Sequence, residues 1–181
     1  MIFNDSLVLS GVGNKTIVAN NKWPSGVYMC QLCSQVMVQA TMGVYKAAVA
    51  NFLPTPSKSH YVFNLRDFSR VVRGVLLADK TKLTDGDKFM RLWVHEVYRV
   101  FYDRLIDDKD RLQFFEIVKD TLQEQFKVNI DKLLKHLTSG SSLKDDDIRS
   151  LFFGDYMVPG ADPRYYDEVM DFNELTSTME K

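Results

Sequence analysis

The sequence predicts a mainly α-helical fold, a bundle of about five helices between an irregular N-terminal and an irregular C-terminal segment. Three observations predict it. Apolar residues recur at helical spacing in separate stretches from Leu32 onward. Polar caps and Gly or Pro stops punctuate those stretches. With 181 residues, 45% hydrophobic and 26% charged, the chain has the composition and length of a globular unit with a real core.

Residues 1–31 carry the weakest pattern. SLVLS and KTIVA read as short strands, and NNKWPSG as a turn cluster. From Leu32, LCSQVMVQATMGVYKAAVANFL places apolar residues at 36, 40, 44 and 48, the period of a first helix, stopped by Pro54 and Pro56. Asn64 caps a second helix, with Asp67 three residues later as the acidic half of a capping box. Its expected buried stripe is Leu65, Phe68, Val72, Val75 and Leu76; Arg66, Arg70 and Arg73 lie on the other face. GDKFMRLWVHEVYRVFYDRLI gives a third helix, with Phe89, Leu92, Trp93, Val97, Val100, Phe101 and Leu105 inward. The aromatics of this stripe read as core. After an acidic turn at 107–110, DRLQFFEIVKDTLQEQF reads as a fourth helix with Leu112, Phe115, Leu122 and Phe126 inward. NIDKLLKHLTSG is a short fifth helix closed by Gly140, and SGSSLKDDD is a polar loop. LFFGDYMVPGADPRYYDEV suggests a folded-over connection with a short strand or two. DFNELTSTMEK starts a helix with Asp171 as cap and Glu174 at N3. A helix that stops in its first turns suggests a piece of something longer.

Several chemistries are excluded. SGVGNKTIVANN resembles a phosphate loop in its Lys15-Thr16 pair, but the two required glycine positions hold Leu9 and Asn14, so an ordinary turn is expected. A formal net charge of −1 gives no basic excess for nucleic acid, and no run is long and apolar enough to span a membrane. The start MIFNDSLVLSGVG lacks the character of a signal peptide. Cys30 and Cys33 alone cannot close a zinc site, and reduced thiols are expected. His95-Glu96 lacks a second histidine, because Arg99 holds the fifth place of H-E-x-x-H. It reads instead as a polar surface face with Glu96 and Arg99 paired. The aspartates at 107, 108 and 110 and at 145–147 lack calcium-loop spacing and suit turns and helix N-termini. No catalytic or metal-ligating residue is expected.

Arg66 is the anomaly in a basic group that includes Lys58, Arg70 and Arg73. It stands in the first turn of its helix, where the dipole disfavours a cation by roughly 0.3–1 kcal/mol. Neighbouring Asp67 offsets part of this, and an anion would offset the rest; the alternative is that Arg66 reaches into solvent or pairs with a carboxylate.

NFLPTPSKSHYVFNLRDFSRVVRGVLL, RLWVHEVYRVFYDRL and FGDYMVPGADPRYYDEVMDFNEL together resemble the dynein heavy chain, in its axonemal style. They resemble the helical lid of the third AAA+ module and the linker toward the fourth, over about residues 32–181. The resemblance implies a division into a divergent segment 1–31, a lid 32–140 and a linker 141–181. It implies that Arg66 is the sensor-two arginine that reaches the γ-phosphate of ATP, with Arg70 in possible support. ATP or ADP with magnesium would then sit on neighbouring AAA+ core domains of the same heavy chain, and the chain alone would hold no cofactor. Its fork of donors suits phosphate oxygens. Microtubules and dynein intermediate and light chains would be partners through the parent complex, in the cytoplasm, cytoskeleton and ciliary axoneme. Walker A and Walker B elements are lacking, so this stretch alone is expected not to hydrolyse ATP. The alternatives are a free-standing helical interaction domain, which an exposed apolar face would serve, and an enzyme built on His95, Glu96 and the acidic loops, which would need a concave pocket.

Overall fold

Helix α1 runs Val27–Asn51 in the computed structural model, which describes residues 27–79, 83, 85–137, 143–158 and 162–180, with side chains from residue 35 and without that of Phe172. The two strands and turn cluster expected before it, the Lys15-Thr16 stretch, the two cysteine side chains and Gly140 all lie outside the described residues. The helix is already formed five residues ahead of Leu32. Its inward face is Met37, Ala40, Thr41, Val44 and Ala48, with Phe52 just past its end. Small residues at 40 and 48 let neighbouring helices approach closely, and α1 packs on both α2 and α4.

After a one-turn 3-10 segment at Pro56–Lys58, α2 spans Leu65–Val75 and α3 spans Gly86–Val100. Among the described residues these two helices make the most extensive contact. α4 covers Asp108–Thr121 and continues into a π-helical turn at Leu122–Phe126, stopped by Lys127 in the left-handed region at φ 56°. α5 (Ile130–Leu133) and α6 (Asp145–Ile148) are single turns. β1 (Phe152–Gly154) and β2 (Asp167–Val169) form an antiparallel ribbon with Phe153 opposite Glu168, and α7 (Phe172–Met179) follows. The Asp171 side chain accepts from the Asn173 N–H at 2.8 Å, so the expected cap is made. Among the described residues no helix is long and apolar enough to cross a membrane.

One core runs from α1 to β1. α3 is buried nearly all round: Met90 and Leu92 through Tyr98 are all buried. The Trp93 indole N–H donates to Thr41 Oγ1 at 2.9 Å, and that hydroxyl donates to the Met37 carbonyl at 2.7 Å. A bulky aromatic therefore meets α1 with its polar atom satisfied.

Several inward assignments are corrected by this packing. In α2 the buried residues are Asp67, Val71, Gly74 and Val75, while Leu65 is 61% and Leu76 70% exposed. In α4, Phe114 is inward and Leu112 is out. Periodicity gives a stripe but not its centre. In α2 the centre is set by a carboxylate at Asp67 and a missing side chain at Gly74, neither of which an apolar count includes.

Candidate functional site

The first turn of α2 is held by its own cap. The Arg66 N–H donates to Asn64 Oδ1 at 2.9 Å, and the Asn64 N–H donates to Asp67 Oδ2 at 3.0 Å. Two of the turn's unpaired donors are satisfied within the chain.

Asp67 is buried, its side chain only 3% exposed. Arg104, beyond α3, grips it with both ends of its guanidinium, Nη2 to Oδ1 at 2.8 Å and Nη1 to Oδ2 at 3.2 Å. Arg104 also donates to the Val62 carbonyl at 3.0 Å and lies over the Phe63 ring. Burial pushes the Asp67 carboxyl up, but the Arg104 fork and the Asn64 N–H outweigh it, and its pKa stays below the ordinary value of 3.8.

That direction fixes a pH dependence. Between the depressed folded pKa and the ordinary one, the unfolded chain binds more protons at this group than the folded chain does. The stabilisation is complete above about pH 4 and is lost as pH falls through the folded pKa. Urea melts from pH 7 down to pH 3 should show this acid loss, and Asp67→Asn should flatten the slope.

Arg66 itself is exposed. Among the described residues its guanidinium has no carboxylate within ion-pair distance. Arg70 is one turn on, 64% exposed, and donates to Asp67 Oδ1 at 3.2 Å. Arg73 is exposed one further turn along. Lys58 does not join them: it bridges Asp107 and Asp110 at the start of α4, where Asp110 also accepts from the Tyr61 hydroxyl. The acidic turn is thus neutralised from within the bundle.

His95 and Glu96 are not a surface face. They are 5% and 8% exposed, with His95 Nδ1 3.3 Å from Glu96 Oε1. Glu96 accepts a hydrogen bond from the Tyr166 hydroxyl at 2.7 Å, while Arg99 pairs with Asp103 instead. Burial and the Glu96 hydrogen bond both raise the Tyr166 phenol. The signal in the sequence was the interruption of a buried helix by two polar residues, which demands a partner; the partner lies 70 positions away. Among the described residues no group of three or more His, Cys, Asp or Glu could hold a metal.

A shallow open cleft of about 450 Å³ is lined by Arg99, Asp103, Asp146, Arg149, Ser150 and Phe152. Arg99 and Arg149 are each matched by an aspartate, at 3.2 and 3.3 Å, so the cleft is charge-balanced and does not favour an anion. Three exposed arginines lie along α2, Arg66, Arg70 and Arg73, with Arg66 at its N-terminal end.

Comparison with known proteins agrees with this helical arrangement. The family described as AAA+ lid domain matches residues 37–136. Dynein axonemal heavy chain 3 of Mus musculus is 60% identical over 146 residues, 81% of this chain and 4% of that protein. Its Homo sapiens counterpart has the same identity over the same length, and dynein axonemal heavy chain 12 of Rattus norvegicus is 47% identical over 148 residues. The chain spans about 4–5% of the length of these relatives.

Proposed function

The chain belongs to the AAA+ lid domain family, and from that premise we propose that it acts as the helical lid of the third AAA+ module of an axonemal dynein heavy chain. It couples nucleotide state at a neighbouring core to motion of the ring during minus-end-directed movement on microtubules. Residues 32–140 are the lid, and 141–181 lead toward the fourth module. ATP or ADP with magnesium is held by the core domains, not by this chain. Microtubules and the intermediate and light chains are met through the parent complex in the axoneme, and nucleic acid and membrane are not partners.

One observation carries the reading: an exposed arginine in the first turn of a capped helix, with no carboxylate engaging it among the described residues. The capping box already satisfies backbone donors there, so an incoming phosphate would be met mainly by the guanidinium and the helix dipole. Arg66 is the sensor-two arginine in this reading. Arg70 supports it, its charge shared with Asp67. Loss of the γ-phosphate removes the anchor and lets the lid rotate.

Arg66→Ala tests this in a dynein heavy chain carrying this lid. A charge-assisted hydrogen bond is worth about 1.5–3 kcal/mol, so ATP affinity at that module should fall roughly 10- to 100-fold. ADP affinity should fall less. Because the side chain is exposed and has no ion pair among the described residues, the stability of the isolated chain should move by no more than about 0.5 kcal/mol. Unchanged discrimination between ATP and ADP would overturn the assignment. The isolated chain should show no ATP turnover.

The second reading, a free-standing interaction domain, draws on Leu65, Leu76 and Leu77, which are 61%, 70% and 60% exposed. It requires a defined dimer or a clean monomer in sedimentation; the lid reading expects a chain that self-associates without a fixed stoichiometry.

A further inference from the structure

The ribbon β1–β2 is fastened both to α3 and to the end of α2. Arg91 of α3 binds Glu168 with two parallel hydrogen bonds of 2.8 and 2.9 Å, and Lys88 pairs with Asp167 at 2.5 Å. Phe153 lies against the His95 ring at 5.4 Å, and Tyr166 stacks on Phe153 at 6.3 Å. The other fastening reaches α2. Just beyond its last turn, Ala78 forms a parallel backbone bridge with Tyr166.

Glu96 stands where these elements meet. Its Oε1 accepts the Tyr166 hydroxyl. Its Oε2 fills the space left by the absent side chain of Gly74: a Cβ there would lie 1.9 Å from that oxygen. The carboxylate is therefore wedged between the α2 backbone and the ribbon. A shift of α2 along or about its axis must displace Glu96, and a displaced Glu96 leaves the Tyr166 hydroxyl without its acceptor.

We propose that Gly74, Glu96 and Tyr166 form a latch that makes the position of α2 and the seating of the β-ribbon a single coupled equilibrium. α2 also packs on α1 and α3 through Val71 and Val75, and its far end is held through Asp67 and Arg104. A force on its N-terminal turn is passed at its C-terminal turn to the ribbon, and from there to α7 directly downstream. The coupling is a property of this chain and holds whichever anion, or none, meets Arg66. Coupling of this kind is reciprocal: what loosens the ribbon loosens α2, and the converse.

Amide hydrogen exchange on the 181-residue chain, without nucleotide, tests the latch. Tyr166→Phe deletes the hydroxyl while keeping the ring on Phe153. Exchange should accelerate at least tenfold at Phe152–Gly154 and Asp167–Val169. It should accelerate to a similar degree at Leu76, Leu77 and Ala78, whose N–H groups close the end of α2. α4 should stay within twofold of the unaltered chain. Gly74→Ala approaches from the other side, and where it folds it should loosen the ribbon it does not touch. Acceleration confined to the ribbon in Tyr166→Phe, no acceleration, or a uniform acceleration that includes α4 would each overturn the coupling. If Gly74→Ala does not fold, Tyr166→Phe decides alone.

Discussion

Arg104→Ala is expected to destabilise the fold by about 3 kcal/mol, the lower end of the cost of breaking a buried ion pair. The loss comes less from the attraction removed than from the carboxylate left behind. Asp67 is 3% exposed at its side chain and cannot recover water. Arg70 and the Asn64 N–H remain to it at 3.2 and 3.0 Å, which keeps the figure from the upper end. The Val62 carbonyl and the face of Phe63 lose their contacts with Arg104 as well. Arg104→Lys should rescue little, because an ammonium cannot span both carboxylate oxygens. Urea melts of the two single variants and the Asp67→Ala/Arg104→Ala double variant form a cycle that isolates the pair. A double variant as unstable as the sum of the singles would show that the two side chains act independently.

Trp93→Ala should cost about 3–5 kcal/mol, enough to lower the melting temperature by roughly 10 °C in a chain of this length. The indole is fully buried between α1 and the π-helical turn, 5.3 Å from the Phe126 ring. Its N–H is one of two bonds at the Thr41 hydroxyl. Trp93→Phe separates these contributions. It retains most of the apolar volume and loses the N–H donor, so it should cost about 1–2 kcal/mol. Differential scanning calorimetry of both variants checks the ordering; equal losses would mean that the hydrogen bond, not the volume, holds the junction. Neither variant touches Arg66, so both effects belong to folding and not to ligand binding.

The Arg66 prediction differs in kind. A side chain with no ion-pair partner among the described residues contributes little to stability, and its expected effect appears only where a phosphate is present. Under the proposed role, stability and recognition would be separable along one helix: Asp67 holds α2 to the bundle, and the residue before it faces outward.

Much of the fold was legible from residue order alone. The capping box at Asn64, the cap at Asp171 and the helical period of α1 and α3 are local features. They depend on neighbours within four positions, and the structure has them where the sequence puts them; the short ribbon in the tail was also expected, though its strands pair across 13 to 17 positions. Arg66 was legible for the same reason, since its placement against the dipole follows from its distance to the cap. The resemblance of NFLPTPSKSHYVFNLRDFSRVVRGVLL to dynein heavy chains also agrees with the family match.

The errors share one cause. Leu65 and Leu76 were expected inward and point out, while His95 and Glu96 were expected outward and are buried. Hydrophobicity ranks residues by their cost of leaving water, and that ranking fails where a polar group finds its partner inside. Asp67 finds Arg104 across 37 positions, and Glu96 finds Tyr166 across 70. The sequence by itself determined the helices, their caps and the outward cation at the start of α2, because these depend on interactions between near neighbours. Only the tertiary structure decided which face of each helix is inside and what the buried carboxylates hold together. Those outcomes turn on the low dielectric of a packed interior, where a charge is stable only beside a partner brought from far along the chain.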